Sequence, residues 1–175
     1  MNNTSPSWNF PVFFKKNRVF RVYLGGKLLD EFVGNDGSDG SFPEEWICSA
    51  VQAINPGHTD PLEGISLRTE DGVPFDALLA ENKKEYLGKR EDLGVLVKFL
   101  DSAIRLPMQV HPTREFSRAN FNSPYGKAES WIILDTREDA CIYFGFKEKI
   151  EKKENNNNLH MLKRNTSWCS NWHFC

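Results

Sequence analysis

The chain has 175 residues, 39% of them hydrophobic and 26% charged, a composition that suits one globular domain with a core of its own. A formal net charge of -2 leaves no basic footprint for nucleic acid or for an anionic membrane surface, and no apolar run is long enough to span a bilayer. The opening, MNNTSPSWNFPVFFKK, sets its basic pair after the apolar patch and has no small-residue cleavage site, so it does not read as a signal peptide. Cys48, Cys141, Cys169 and Cys175 make no paired framework, and reduced thiols in a cytoplasmic protein are the expectation.

In chain order, residues 18–24 (RVFRVYL) alternate basic and apolar side chains as a half-buried strand does, and Gly25-Gly26 turns the chain. Residues 35–41 (NDGSDGS) form a polar loop. Residues 44–53 fit two patterns: Ile47, Ala50, Val51 and Ile54 have helical spacing, while Trp46, Cys48 and Ala50 can alternate on a strand. After a Pro/Gly/Asp loop at 55–64, residues 75–82 (FDALLAEN) read as a short surface helix, with Asp76 near its start and Lys83-Lys84 just past its end, where they favour the helix dipole.

Residues 93–100 (LGVLVKFL) make a nearly continuous apolar run, expected to be a buried strand. Lys98 inside it either finds a carboxylate or a polar cavity, because an unpaired buried ammonium is costly, or it snorkels at a sheet edge. Residues 113–121 (TREFSRANF) read as a short helix that buries Phe116, and 122–126 (NSPYG) as the turn into the next strand. Residues 129–134 (ESWIIL) and 140–146 (ACIYFGF) are two further strands, joined by a polar connection. Short strands punctuated by turns argue for a β-sandwich or barrel.

Good metal ligands stand within this strand-like text. On an extended segment Gln109 and His111 point to one face, and Glu129 at the entrance of the following strand completes an N/O triad if the two strands are neighbours. One imidazole, one carboxylate and one amide oxygen suit zinc, and manganese or iron less well. The plainer alternative is two solvated polar residues and an exposed Lys127/Glu129 pair.

Three blocks, 97–101 (VKFLD), 109–112 (QVHP) and 126–134 (GKAESWIIL), resemble in order and spacing the class I, cupin-type mannose-6-phosphate isomerases. Their pattern is K-[FV]-L-[DS], then Q-[VI]-H-P, then G-K-x-E-x-W-x-I-L. Weaker matches are residues 21–26 (RVYLGG), similar to R-x-W-G-G, and 44–49 (EEWICS), similar to G-E-x-W-E-I-S, so the resemblance covers roughly residues 19–146 and favours a strand at 44–49.

It implies a mainly β, jelly-roll cupin-like sandwich with a few short helices. It also implies one Zn2+ per chain on Gln109, His111 and Glu129, and a sugar phosphate substrate. The implied reaction interconverts mannose 6-phosphate and fructose 6-phosphate by moving a proton between C1 and C2 through an enediolate. By match, Lys127 is catalytic, supplying positive charge near the enediolate or acting in proton transfer, and Lys98 and Glu44 line the substrate pocket.

Two positions depart from the pattern: Pro107 replaces a serine, and Trp46-Ile47-Cys48-Ser49 lacks the glutamate of W-E-I-S. The family's fourth ligand, a histidine, and its phosphate-contacting arginine have no match after Phe146. Residues 147–175 instead run from KEKIEKKENNNN into a Trp/Cys/His-rich stretch, in which His160, Cys169, His173 and Cys175 match no common zinc spacing. The expected organisation is therefore a cupin-like portion at 1–146, incomplete and with an exposed strand edge, and a polar tail at 147–175 outside the family's frame. The competing reading is a truncated, non-catalytic cupin fragment that binds metal or sugar phosphate weakly.

Overall fold

The computed structural model describes residues 10–145 apart from Pro56, His58, Met108 and Val110. The tail at 147–175, with its histidines and cysteines, lies outside the described residues. The chain divides into two units, Met1–Glu129 and Ser130–Cys175, and every named element belongs to the first.

A three-stranded antiparallel sheet is the centre of that unit, in the order β1 (Arg18–Val19), β2 (Glu44–Ile47), β3 (Val97–Leu100). Val19 faces Glu44 across the first pair, and Trp46 faces Lys98 across the second. With four short helices, α1 (Lys27–Phe32), α2 (Phe75–Glu81), α3 (Lys83–Leu87) and α4 (Arg114–Phe121), the described residues are compatible with a mainly β fold. Of the ambiguous residues 44–53 only Glu44–Ile47 form a strand, with Glu44 and Trp46 buried and alternating with half-buried Glu45 and Ile47, while 48–53 are in neither strand nor helix.

Two small cores flank the sheet. Val19, Trp46 and Ala53 pack together with Leu96 against them. Gly64 completes this contact. It has φ +86°, and a Cβ there would fall 2.7 Å from the Trp46 ring and 2.8 Å from Ala53 N, so only glycine lets the chain pass. The second core is the apolar stripe of α2, Phe75, Leu78 and Leu79, whose i, i+3, i+4 spacing puts all three on one face. Phe14 meets Phe75 edge to face at 4.9 Å.

Several elements differ from the sequence expectation. The strand expected at 18–24 is only Arg18–Val19, because the chain then leaves the ladder and bonds to the loop before β2, through Arg21 N to Ser41 O at 2.8 Å and Gly25 N to Gly40 O at 2.9 Å. Helix α1 was not legible. Its first turn is held by the Asp101 carboxylate, which accepts from Gly26 N at 3.0 Å and Leu28 N at 2.9 Å across more than seventy residues of sequence. Lys83 and Lys84 open α3 rather than trail α2, since Asn82 serves both as the C-cap of one and the N-cap of the other.

The run at 93–100 is a strand only at Val97–Leu100, and all four of its residues are exposed rather than buried. Burial of a strand needs a second layer or a second neighbour, and among the described residues β3 pairs with β2 alone. Helix α4 forms as expected, with Thr113 Oγ1 accepting from Phe116 N at 3.2 Å and Asn122 at φ 50° closing it. Phe116, however, is 52% exposed and stacks edge to face on Phe121 at the surface, while Ser117 is the residue α4 buries.

The segments at 109–112, 129–134 and 140–145 are not strands among the described residues. Their β-forming side chains, Trp131, Ile132, Ile133 and Leu134 among them, are exposed. β-branched and aromatic residues favour a strand only when a neighbour takes up the backbone N–H and C=O groups. No helix is long and apolar enough to cross a membrane among the described residues.

Candidate functional site

The residues singled out in the sequence fall into two clusters. The first is built by the turn after α4. Asn122, in the left-handed conformation, ends the helix, and the chain returns so that Lys127 N donates to Pro112 O at 3.0 Å. Gly126 passes so close that a Cβ there would lie 2.8 Å from Pro112 O, so the approach depends on its missing side chain. Residues 126–129 are thereby docked beside 109–113, as the strand-neighbour expectation required, but by one backbone bond rather than a ladder.

The side chains then converge. The Lys127 ammonium donates to Gln109 Oε1 at 2.8 Å and stands 3.5 Å from Glu129 Oε1, while the other Glu129 oxygen lies 3.6 Å from His111 Nε2. All are partly open to solvent; the Glu129 side chain is 27% exposed and that of His111 33%. An amide oxygen and a carboxylate thus flank the lysine ammonium, and an imidazole stands on the far oxygen of that carboxylate. That donor set fits a borderline divalent cation. No group of three or more His, Cys, Asp or Glu side chains converges among the described residues, so the set depends on the Gln109 amide as third donor.

The second cluster is centred on Glu44, which is 2% exposed. Its Oε2 accepts from Trp46 Nε1 at 2.7 Å, Arg21 Nη2 at 3.1 Å and Lys98 Nζ at 3.2 Å. Its Oε1 accepts from the Tyr23 hydroxyl and pairs with Arg21 Nε at 3.1 Å. Burial is the largest single influence and pushes this carboxyl up, but the donors from Arg21, Tyr23 and Trp46, with the charge of Lys98, bring it down to about 2. Burial and the adjacent Glu44 push the Tyr23 phenol far above its ordinary range, so it stays a neutral donor.

Lys98 has found a carboxylate, as one of its two sequence readings required. Sequence reasoning missed Arg21, Tyr23 and Trp46 as the shell of Glu44. The available signal was the alternation in RVFRVYL, which sets Arg21 and Tyr23 two apart and so on one side of an extended segment.

A cleft of about 550 Å³ lined by Lys16, Arg18, Gly26, Asp30 and Phe42, among others, contains none of the residues of the two clusters. Its cations are taken up by Asp30, which holds Lys16 at 2.6 Å and Arg18 at 2.8 Å.

The chain is 35% identical over 164 residues to the probable mannose-6-phosphate isomerase GmuF of Bacillus subtilis, covering 87% of this chain and 49% of that protein. Over most of its own length the chain is thus similar to proteins named mannose-6-phosphate isomerase. It is also 36% identical over 137 residues to mannose-6-phosphate isomerase ManA of Bacillus subtilis (77% of this chain, 40% of ManA). A mannose-6-phosphate isomerase of Streptococcus mutans is 26% identical to it over 144 residues, covering 82% of this chain and 43% of that protein. The chain thus spans less than half the length of each of these isomerases. No family model matches it, and no solved structure does.

Proposed function

We propose that this chain carries the metal-holding portion of a mannose-6-phosphate isomerase, with Gln109, His111 and Glu129 as ligands of one Zn2+ and a sugar phosphate as substrate. The observation that carries the reading is the chain of contacts from Gln109 through Lys127 to Glu129 and from Glu129 to His111, in a chain whose curated relatives bear that name. A zinc ion held there would supply Lewis acidity toward the sugar oxygens as negative charge develops between C1 and C2. Lys127, which donates to Gln109 Oε1 at 2.8 Å and stands 3.5 Å from Glu129, would add a positive charge beside the same group.

Lys98 and Glu44 act as a pocket wall in this reading. The ammonium presents donors to sugar or phosphate oxygens, and the buried carboxylate fixes it in place. The architecture proposed for the cupin-like portion, residues 1–146, is the jelly roll of the resemblance, with residues 147–175 apart from it and the cytoplasm as its compartment. A second reading, a non-catalytic fragment that binds metal or sugar phosphate weakly, is favoured by the openness of the site: three protein donors, partly exposed, leave a cation accessible to water.

Measuring zinc stoichiometry on the purified chain together with mannose 6-phosphate to fructose 6-phosphate conversion separates the two. About one zinc per chain, and turnover that disappears in Glu129→Ala, supports the isomerase. Weak or absent zinc without turnover supports the fragment.

A further inference from the structure

The Glu44 carboxylate receives more donors than it has lone-pair sites in good geometry, since an ionised carboxylate offers about four. Arg21 takes two in bidentate fashion, through Nε and Nη2 at 3.1 Å each. The Tyr23 hydroxyl and Trp46 Nε1 take two more. Lys98, at 3.2 Å, is the longest of the contacts to Oε2 and comes from the more exposed of the two cations, its side chain 31% exposed against 18% for Arg21.

Arg21 is also held away from any other task. Its Nη1 donates to Phe20 O at 2.9 Å and to Asn55 Oδ1 at 3.0 Å, and its guanidinium carbon lies 5.1 Å from the centre of the Trp46 ring. Asn55 in turn contacts Glu63, which accepts from Phe20 N at 2.9 Å. A planar fork engaged on this many sides is a fixed counter-ion; a lysine on a four-carbon stem with one bond to Glu44 is a mobile one.

We infer that Arg21 is a positioning residue: it is the resident counter-ion of Glu44, and by neutralising that carboxylate it leaves the charge of Lys98 over for an anionic ligand. Of the groups bonded directly to Glu44 two are cations, with Glu63 lying beyond Asn55 on the Arg21 side, so pairing Arg21 with the carboxylate leaves positive charge at the more exposed amine. Without Arg21, Lys98 becomes the sole cationic partner of a buried carboxylate, is drawn onto it and loses its pull on a sugar phosphate. The charged or titratable groups facing Glu44 are Arg21 and Tyr23 from the segment after β1 and Lys98 from β3. The inference rests on the isomerase reading only for what Lys98 would touch.

The test is the titration of the Glu44 carboxyl carbon by NMR in the wild-type chain and in Arg21→Met, Arg21→Lys and Lys98→Met, with folding checked by circular dichroism. Arg21→Met raises the midpoint by about one pH unit or more, Arg21→Lys recovers part of the loss, and Lys98→Met moves it less than either. The inference is overturned if Lys98→Met raises the midpoint as much as the Arg21 variants do, or if none of them moves it. Should Arg21→Met not fold, the order of Arg21→Lys against Lys98→Met decides. Adding mannose 6-phosphate to the wild-type chain then reads the other reading separately: an unmoved Lys98 Cε signal counts against the isomerase and leaves the counter-ion assignment to the titration.

Discussion

The cluster at Glu44 and the cluster at Glu129 each set a carboxylate beside a lysine, the first pair 54 residues apart in sequence and the second two, and under opposite conditions. Glu44, at the start of β2, is buried with donors on both oxygens, two of them from a guanidinium that also bonds Phe20 O and Asn55. Glu129 is partly open, and its charged neighbours stand at 3.5 and 3.6 Å, beyond good hydrogen-bond length. The first is a fixed charge that the fold cannot easily give up. The second is more open to solvent, the condition under which a cation could replace an ammonium without unfolding its surroundings.

The largest expected effect follows from that contrast. Glu44→Ala strands the Arg21 guanidinium, itself mostly buried, and should cost on the order of 3 kcal/mol in urea unfolding, the range for breaking a buried ion pair from one side. A loss below about 1 kcal/mol would erase the distinction between the two clusters.

Glu129→Ala should instead leave unfolding nearly unchanged and lower zinc affinity by about 100-fold or more, judged against the 10- to 100-fold that loss of an outer partner of a ligand commonly costs. Calorimetric titration with zinc measures it, and unaltered affinity would remove Glu129 from the ligand set.

The pH dependence of stability separates the clusters again. The Glu44 carboxyl, held at about 2 instead of the ordinary 4.5, contributes stability that is present in full above 4.5 and lost as pH falls from there toward 2. The wild-type chain should therefore lose stability through that window, and Glu44→Gln should flatten the loss.

The smallest effect belongs to Lys127→Met, whose partners are partly exposed. Its cost to stability should lie within about 1 kcal/mol, and high salt should blunt it further, as for surface ion pairs in general.

Much of the site was legible because spacing along an extended segment is short-range information. Gln109, His111, Lys127 and Glu129 could be paired on paper, and the turn residues Asn122 and Gly126 that dock the two segments are in the text. The shell of Glu44 was not, because Arg21, Tyr23 and Lys98 reach it from twenty to more than fifty residues away and no local pattern marks a shared carboxylate. The strands expected at 129–134 and 140–146 show the complementary error. Their β-forming composition is real, but a strand is a relation between segments, and the described residues there have no ladder.

By itself the amino-acid order determined what depends on near neighbours: the apolar stripe of α2, the Thr113 cap and Asn122 stop of α4, and the residue types gathered as possible ligands. Only the tertiary structure decided which charges are permanent and which exchangeable, how little of 18–24 and 93–100 pairs as sheet, and that α1 exists because Asp101 caps it from afar. The physical reason is common to all of these. Helix periodicity and capping are settled within a few residues, whereas burial, ion pairing and strand pairing are settled by whatever else the chain brings alongside.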